Sequence, residues 1–304
     1  MDVGDDYPFD IGLISATRGS FWEQMKYIKT SYRPISMSEL VNFFEKGIKL
    51  PRKSILVTFD DGFDDNYHTA FPILKELDIP ATIFVTTDFI NSTETIWYER
   101  LAYFFNKVSA DQIYLSKLDE KVTLDDDLKT RRSRYAYVIE KLKLVQDKVR
   151  NDILNDLYSE YGDPYVSISP DDKKLSISMT WDELREMQQN NIEIGSHTVS
   201  HPILSMLNEE QLGFEIGESK KIIENQLQES VDTIAYPVGQ FESYSNNVIN
   251  ATKSAGYKIG FSYIDAMNNL KMLNRYSVPR LHVDMDSPLS LFKSKLCLPE
   301  VFCE

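Results

Sequence analysis

Cysteine is nearly absent from this 304-residue chain, with only Cys297 and Cys303, close together at the C-terminus. Closing so short a loop constrains an unfolded chain weakly. The two are therefore expected to be free thiols or an incidental pair, not a disulfide framework. Positive charge is also scarce: 33 Lys and Arg stand against 47 Asp and Glu, a formal net charge of −14. Binding a phosphate backbone needs a surplus of Lys and Arg, so nucleic acid is not an expected partner. No apolar run approaches the roughly 18–20 residues of a membrane span. Met1 is followed by Asp2-Val3-Gly4-Asp5-Asp6, without the basic, apolar and small-residue succession of a leader. A cytoplasmic location is the default expectation, with a trimmed leader as the alternative. What is present, 42% hydrophobic and 12% aromatic residues, is enough for a substantial core and argues against disorder. The length suits one α/β barrel with an insertion as well as it suits two average domains.

Short apolar runs rich in β-branched residues predict strands at 54–59, 81–87, 191–196, 232–237, 257–263 and 277–283. Their near-continuous hydrophobicity is that of strands covered on both faces, as in a parallel sheet. Helical periods fall between them. Ser20 with Glu23, Ser36 with Glu39 and Thr180 with Glu183 have capping-box spacing, and Gly47 and Gly256 suit helix stops. Alternating β and α elements favour a barrel or a doubly wound sheet. From about 91 to 178 the chain turns polar, with a long helical stretch at 128–161 and a possible hairpin at 112–124. This segment lies between two core strands, so it reads as an insertion within one domain spanning 1–304.

Histidine is rare, and two of the four residues, His197 and His201, lie in Gly195-Ser196-His197-Thr198-Val199-Ser200-His201-Pro202. They follow a predicted strand, and α/β folds place their sites at strand C-terminal ends. On a helical turn, histidines four apart share a face and can reach one ion; surface or capping histidines are the bland alternative. Thr58-Phe59-Asp60-Asp61-Gly62 ends another predicted strand. Two adjacent carboxylates there repel and lose solvation, so a cation or an Arg partner is expected. Otherwise one of them caps the following helix, a role that suits Asp64 and Asp65 better. Two histidines and one carboxylate would leave positions open for water and substrate, as hydrolytic zinc sites require.

The runs at 58–62 and 196–202 resemble the polysaccharide deacetylases of carbohydrate esterase family 4. The resemblance extends to Ala235-Tyr236-Pro237-Val238-Gly239 and Pro279-Arg280-Leu281-His282-Val283, and covers roughly residues 9–283. It implies a distorted or incomplete (β/α) barrel with a mainly helical insertion. It also implies a metal-dependent hydrolase that removes acetyl groups from a carbohydrate, N-acetylated amino sugars first and O-acetylated sugars second. Carried over residue by residue, Asp60 is the general base, and Asp61, His197 and His201 ligate a divalent metal, Zn first, with Co, Ni or Mn as alternatives. Such a metal activates water and polarises the acetyl carbonyl. A backbone N–H from the loop after Val238 is expected to support the oxyanion, and residues Tyr236, Pro237, Val238 and Gly239 to meet substrate. His282 is the candidate proton donor to the leaving group, and His68 is expected only on a helix surface.

The pattern departs from that family in places. Its third motif often begins with an Arg that orients the catalytic Asp, where this chain has Ala235. Arg280 could supply that charge from a neighbouring strand, with Arg275 a weaker option and a structural ion pair the alternative role. The fourth motif's Asp and Trp have no clear counterpart; Asp284 or Asp286 could stand in for the Asp. A usual first strand with a Tyr-His pair is not found, which predicts an unpaired barrel edge. Among aromatics, Tyr236 and Phe241 suit a sugar floor best, whereas Trp97, Tyr98 and Trp181 suit packing better. The partner expected is an acetylated oligo- or polysaccharide; protein partners are not indicated. Competing readings are an inactive carbohydrate-binding protein, a sugar deformylase or cyclic amidase, and a two-His, one-carboxylate iron oxygenase, which would leave Asp60 without a role.

Overall fold

The computed structural model describes residues 7–298 except 126, 267, 269, 271 and 286. Those residues form two compact units, one of 14–92 with 178–298 and one of 7–13 with 93–177.

In the first unit, five parallel strands lie side by side in chain order: β1 (Val57–Phe59), β2 (Ala81–Val85), β3 (Ile192–Ser196), β4 (Thr233–Ala235) and β5 (Ile259–Phe261). This is an incomplete (β/α) barrel. Burial on both faces explains the unbroken apolar reading of the strands. On the convex face, Ile83, Val85, Ile192 and Ile234 pack with Leu74, Leu184, Ile216 and Val248 from helices Phe71–Glu76, Trp181–Gln188, Glu209–Leu227 and Asn246–Ser254. On the concave face, Phe84, Ala235, Ile259 and Phe261 meet Met37, Leu40 and Val41 of helix Met37–Lys46. Gly195 is the small residue that makes room there, since a Cβ on it would lie 2.4 Å from the Phe84 ring.

Both edges of the sheet are partly covered. Upstream of β1, Arg33–Pro34 pairs in parallel with Ser54–Ile55. Beyond β5, Val278 exchanges backbone bonds with Gly260 and Ser262, and the Arg280 N–H donates to the Ile264 carbonyl. The predicted strand at 277–283 is thus a short paired extension, and the edge expected to be bare is unpaired only alongside Val57–Phe59 among the described residues. The capping boxes at Ser36 and Thr180 form, and Gly47 ends its helix at φ 67°. The expected box at Ser20 does not: the cap is Thr17, whose hydroxyl accepts the Ser20 N–H. A further box, Asn208 with Gln211, starts helix Glu209–Leu227. Glu193 of β3 accepts the Met37 and Ser38 N–H groups, which docks the start of helix Met37–Lys46 onto the sheet.

The second unit has a core of Leu101, Phe104, Phe105, Ile113, Val138 and Leu142. The hairpin pairs Gln112–Leu115 with Glu120–Thr123. The long helical stretch is two helices, Leu128–Leu142 and Asp147–Tyr161, interrupted at 143–146 where no Gly or Pro marks the break. Tyr98 is buried, and Trp97 lies under the Arg150 guanidinium, 4.4 Å from its ring centre, so both pack within this unit.

Candidate active site

The chemistry-bearing residues lie just past the C-terminal ends of the barrel strands. Asp60 and Asp61 follow β1, and Asp61 takes a left-handed backbone with φ 71°. His197 follows β3, its N–H still on the sheet ladder at 2.8 Å from the Val85 carbonyl. The segment that then carries His201 is not the helical turn expected from the four-residue spacing. Thr198 and His201 are left-handed instead, at φ 74° and 58°. Left-handed residues other than Gly cost about 1–2 kcal/mol each, and such strain concentrates at functional sites.

This backbone brings three ligand atoms together. Asp61 Oδ1 is 3.5 Å from His197 Nε2 and 3.4 Å from His201 Nε2, with both imidazoles buried. Tetrahedral ligands about 2.1 Å from one ion lie about 3.4 Å apart, so the donor set fits a divalent cation. His197 Nδ1 donates to the Ala235 carbonyl at 2.8 Å. That bond fixes the tautomer and leaves Nε2 with its lone pair.

Asp60 is clamped by Arg280. Both guanidinium NH₂ groups donate to its two carboxylate oxygens at 2.7 Å, while Nε donates to the Ser262 carbonyl and Nη1 also reaches Thr58 Oγ1. Burial alone would push the Asp60 carboxyl up. The Arg280 charge, joined by His197 and His201, overcomes this and holds it down to about 2. Arg280 sits 5.7 Å from the Phe84 ring centre and 5.6 Å from that of Tyr263. The charge missing at Ala235 therefore comes from Arg280. Arg275 is elsewhere, paired with Glu45.

His282 stacks on Tyr263 with ring centres 3.5 Å apart. Its backbone N–H donates to Asp265 Oδ1 at 3.1 Å, and its Nδ1 is 3.9 Å from Asp265 Oδ2. Its Nε2 is buried with no hydrogen-bond partner among the described residues. Burial lowers its pKa and Asp265 opposes that shift. The carboxylate beside this imidazole is thus Asp265, not Asp284, which pairs with Lys295; Asp286 lies outside the described residues. Sequence reading missed Asp265 because the strand predicted at 257–263 ends earlier, at Phe261. The polar residues just past that end were the available signal.

The third motif is also corrected in part. Tyr236 is 1% exposed, stacked on Tyr244 with its hydroxyl donating to the Tyr276 carbonyl, so its ring is core and cannot floor a sugar. Pro237 is buried as well. Val238 and Gly239 are left-handed at φ 63° and 60°, and a Cβ on Gly239 would lie 2.5 Å from the Tyr263 nitrogen. The Gly239 N–H is used by the Pro237 carbonyl, whereas the Val238 N–H has no acceptor among the described residues. The N–H groups of Gln240, Phe241 and Glu242, in the loop after it, likewise have none among the described residues. Phe241 is 72% exposed and Trp181 is half-buried against the core. His68 is exposed, 3.3 Å from Asp64 and 3.7 Å from Glu183. Asp65, one of the two expected caps, makes no side-chain cap bond.

Comparison with known proteins places the fold and the family. The family model described as polysaccharide deacetylase matches residues 47–116 and 159–260. The chain is 22% identical to YxkH of Bacillus subtilis (strain 168) over 241 residues, 79% of this chain and 56% of that protein. It is 36% identical to the poly-beta-1,6-N-acetyl-D-glucosamine N-deacetylase of Staphylococcus epidermidis over 85 residues, 28% of this chain and 29% of that enzyme. The matches thus span about half or less of these relatives' length. In fold it is similar to the Streptococcus pyogenes deacetylase PplD, solved with acetate, at TM-score 0.59, 18% identity and coverage of 92% and 87%. IcaB from Ammonifex degensii gives TM-score 0.58 at 17% identity, covering 92% and 88%. With more than half of its residues matched by the family model, the chain belongs to the polysaccharide deacetylase family.

Proposed function

We propose that this protein is a metal-dependent N-deacetylase of an amino-sugar polymer, with a β-1,6-linked N-acetylglucosamine chain as the first substrate to consider. The observation that carries this reading is the convergence of Asp61, His197 and His201 beside an Asp60 clamped by Arg280. The polymer is suggested by the name of the staphylococcal relative. A divalent cation, Zn²⁺ first, held by Asp61, His197 and His201 would supply Lewis-acid polarisation of the acetyl carbonyl and acidify water. Asp60 accepts the proton of the attacking water, and Arg280 fixes both of its oxygens for that task. The Val238 N–H donates to the oxygen on which negative charge develops. His282 returns a proton to the leaving nitrogen, and Asp265 favours the protonated imidazole that this step needs. An inactive carbohydrate-binding protein would have no use for a clamped carboxylate beside three convergent ligands.

The test is acetate release from β-1,6-linked N-acetylglucosamine oligomers, from β-1,4-linked ones and from an O-acetylated xylan, with Zn²⁺ or Co²⁺ and with chelator. The expected result is release from an N-acetylated substrate that chelator abolishes and added metal restores. Release from the xylan alone would move the substrate to an ester. Silence on all three, in protein shown to hold its metal, would overturn the deacetylase reading.

A further inference from the structure

Beyond the ligands and the reacting groups, we infer that Glu215 is a positioning residue for the metal site: a buried carboxylate that holds the loop between His197 and His201 in its left-handed form. The inference rests on the reading of Asp61, His197 and His201 as ligands. Glu215 lies on helix Glu209–Leu227 and is 8% exposed. One of its oxygens accepts the Val199 N–H at 2.8 Å and the Ser200 N–H at 3.0 Å, and the other accepts the Ser200 hydroxyl at 2.7 Å. Three donors from two consecutive residues thus converge on one carboxylate, and those residues lie between the ligands.

The location explains why a side chain of this length, ending in an acceptor oxygen, is needed. With Thr198 and His201 both at positive φ, the chain turns sharply and Val199 and Ser200 can join neither helix nor ladder through their N–H groups. Val199 is buried, and a buried backbone donor must find an acceptor; no carbonyl supplies one to either N–H here. The opposite side of the loop is held separately, with the Thr198 and Val199 carbonyls accepting from the Thr87 and Asp88 N–H groups at 3.1 and 2.9 Å. One turn further along the same helix, Ser219 bonds to Ser196 Oγ at 2.8 Å, and that oxygen accepts the Thr198 N–H. Glu215 and Ser219, four residues apart, therefore present one helix face to the loop. A residue that fixes the orientation of a metal ligand typically changes affinity 10- to 100-fold when lost.

The test is the dissociation constant for Zn²⁺, by competition with a chromophoric chelator, in wild type, Glu215→Ala, Glu215→Gln, Glu215→Asp and Ile216→Ala. Ile216 is buried on the same helix and touches the apolar core, so its truncation loosens the fold without touching the loop. Glu215→Ala and Glu215→Asp, the latter one methylene too short, should weaken Zn²⁺ binding at least 10-fold. Glu215→Gln should stay within about 3-fold of wild type, since its carbonyl can take both N–H groups and its amide can donate to the Ser200 oxygen. Ile216→Ala should lower the melting temperature with Zn²⁺ affinity unchanged. If the Ala variant does not fold, the Asp and Gln variants decide the matter. Equal loss in Gln and Ala would mean that charge and not bond geometry is at work, and would overturn the inference. So would unchanged affinity in folded Glu215→Ala or Glu215→Asp protein, or an equal loss in Ile216→Ala. Wild-type protein that binds no divalent cation would instead sink the metal-site reading together with it.

Discussion

Turnover of the Asp60→Asn variant is expected to fall about 10²- to 10⁴-fold, the range for loss of a positioned general base, while Zn²⁺ binding persists. The amide keeps the shape of the carboxylate and cannot accept a proton from water. The ligands are other residues, Asp61, His197 and His201, so cation affinity should change little by comparison. Measuring kcat and the Zn²⁺ dissociation constant on the same preparation separates the two roles. Retention of more than a tenth of wild-type turnover would remove Asp60 from the proton-transfer step. Loss of Zn²⁺ binding in proportion to kcat would instead make Asp60 part of the cation site.

Arg280→Ala should produce the largest loss of stability among the site variants, about 3–5 kcal/mol, as expected when one partner of a buried ion pair is removed. Arg280 makes a bidentate pair with Asp60, bonds the Ser262 carbonyl and is enclosed by Phe84 and Tyr263. It also ties the paired segment beyond β5 back to the end of β1, where the sheet has no strand neighbour among the described residues. Without it the buried Asp60 carboxylate is left uncompensated, so stability and turnover should fall together. Arg280→Lys should recover only part of either, because a single ammonium cannot reproduce the guanidinium fork. Urea denaturation gives the stability change and acetate release gives the turnover. A stability loss below about 1 kcal/mol, the value of an exposed pair, would show that the clamp is not the buried ion pair described.

The catalytic outline was legible because its parts are contiguous: a carboxylate pair or a histidine pair directly after an apolar run marks a strand end in an α/β fold. Ala235 and Arg280 were readable as a loss and a replacement because charge at Asp60 had to be compensated somewhere. Tyr236 misled because its motif neighbours were weighed above strand parity. Ile234 and Tyr236 share the outward face, whereas Ala235 faces the concave cluster, and that alternation was in the sequence. Asp265 left only the weak signal of polar residues past a strand end, and Glu215 left none, since each contacts residues 15 to 17 positions away, His282 and Ser200. Nor could spacing alone distinguish a helical His-x-x-x-His from the left-handed loop found at Thr198 and His201, because both bring two imidazoles together. The insertion's helix break at 143–146 carries no Gly or Pro and left no local signal.

The proposed chemistry requires Asp61, His197 and His201 to hold one divalent cation beside Asp60. Anomalous scattering from a crystal of the protein grown with Zn²⁺ tests it most directly. A peak is expected about 2.0–2.2 Å from a carboxylate oxygen of Asp61 and from Nε2 of both histidines, with Asp60 still paired to Arg280. A fully occupied peak held by other residues, or none in crystals of active enzyme, would contradict it.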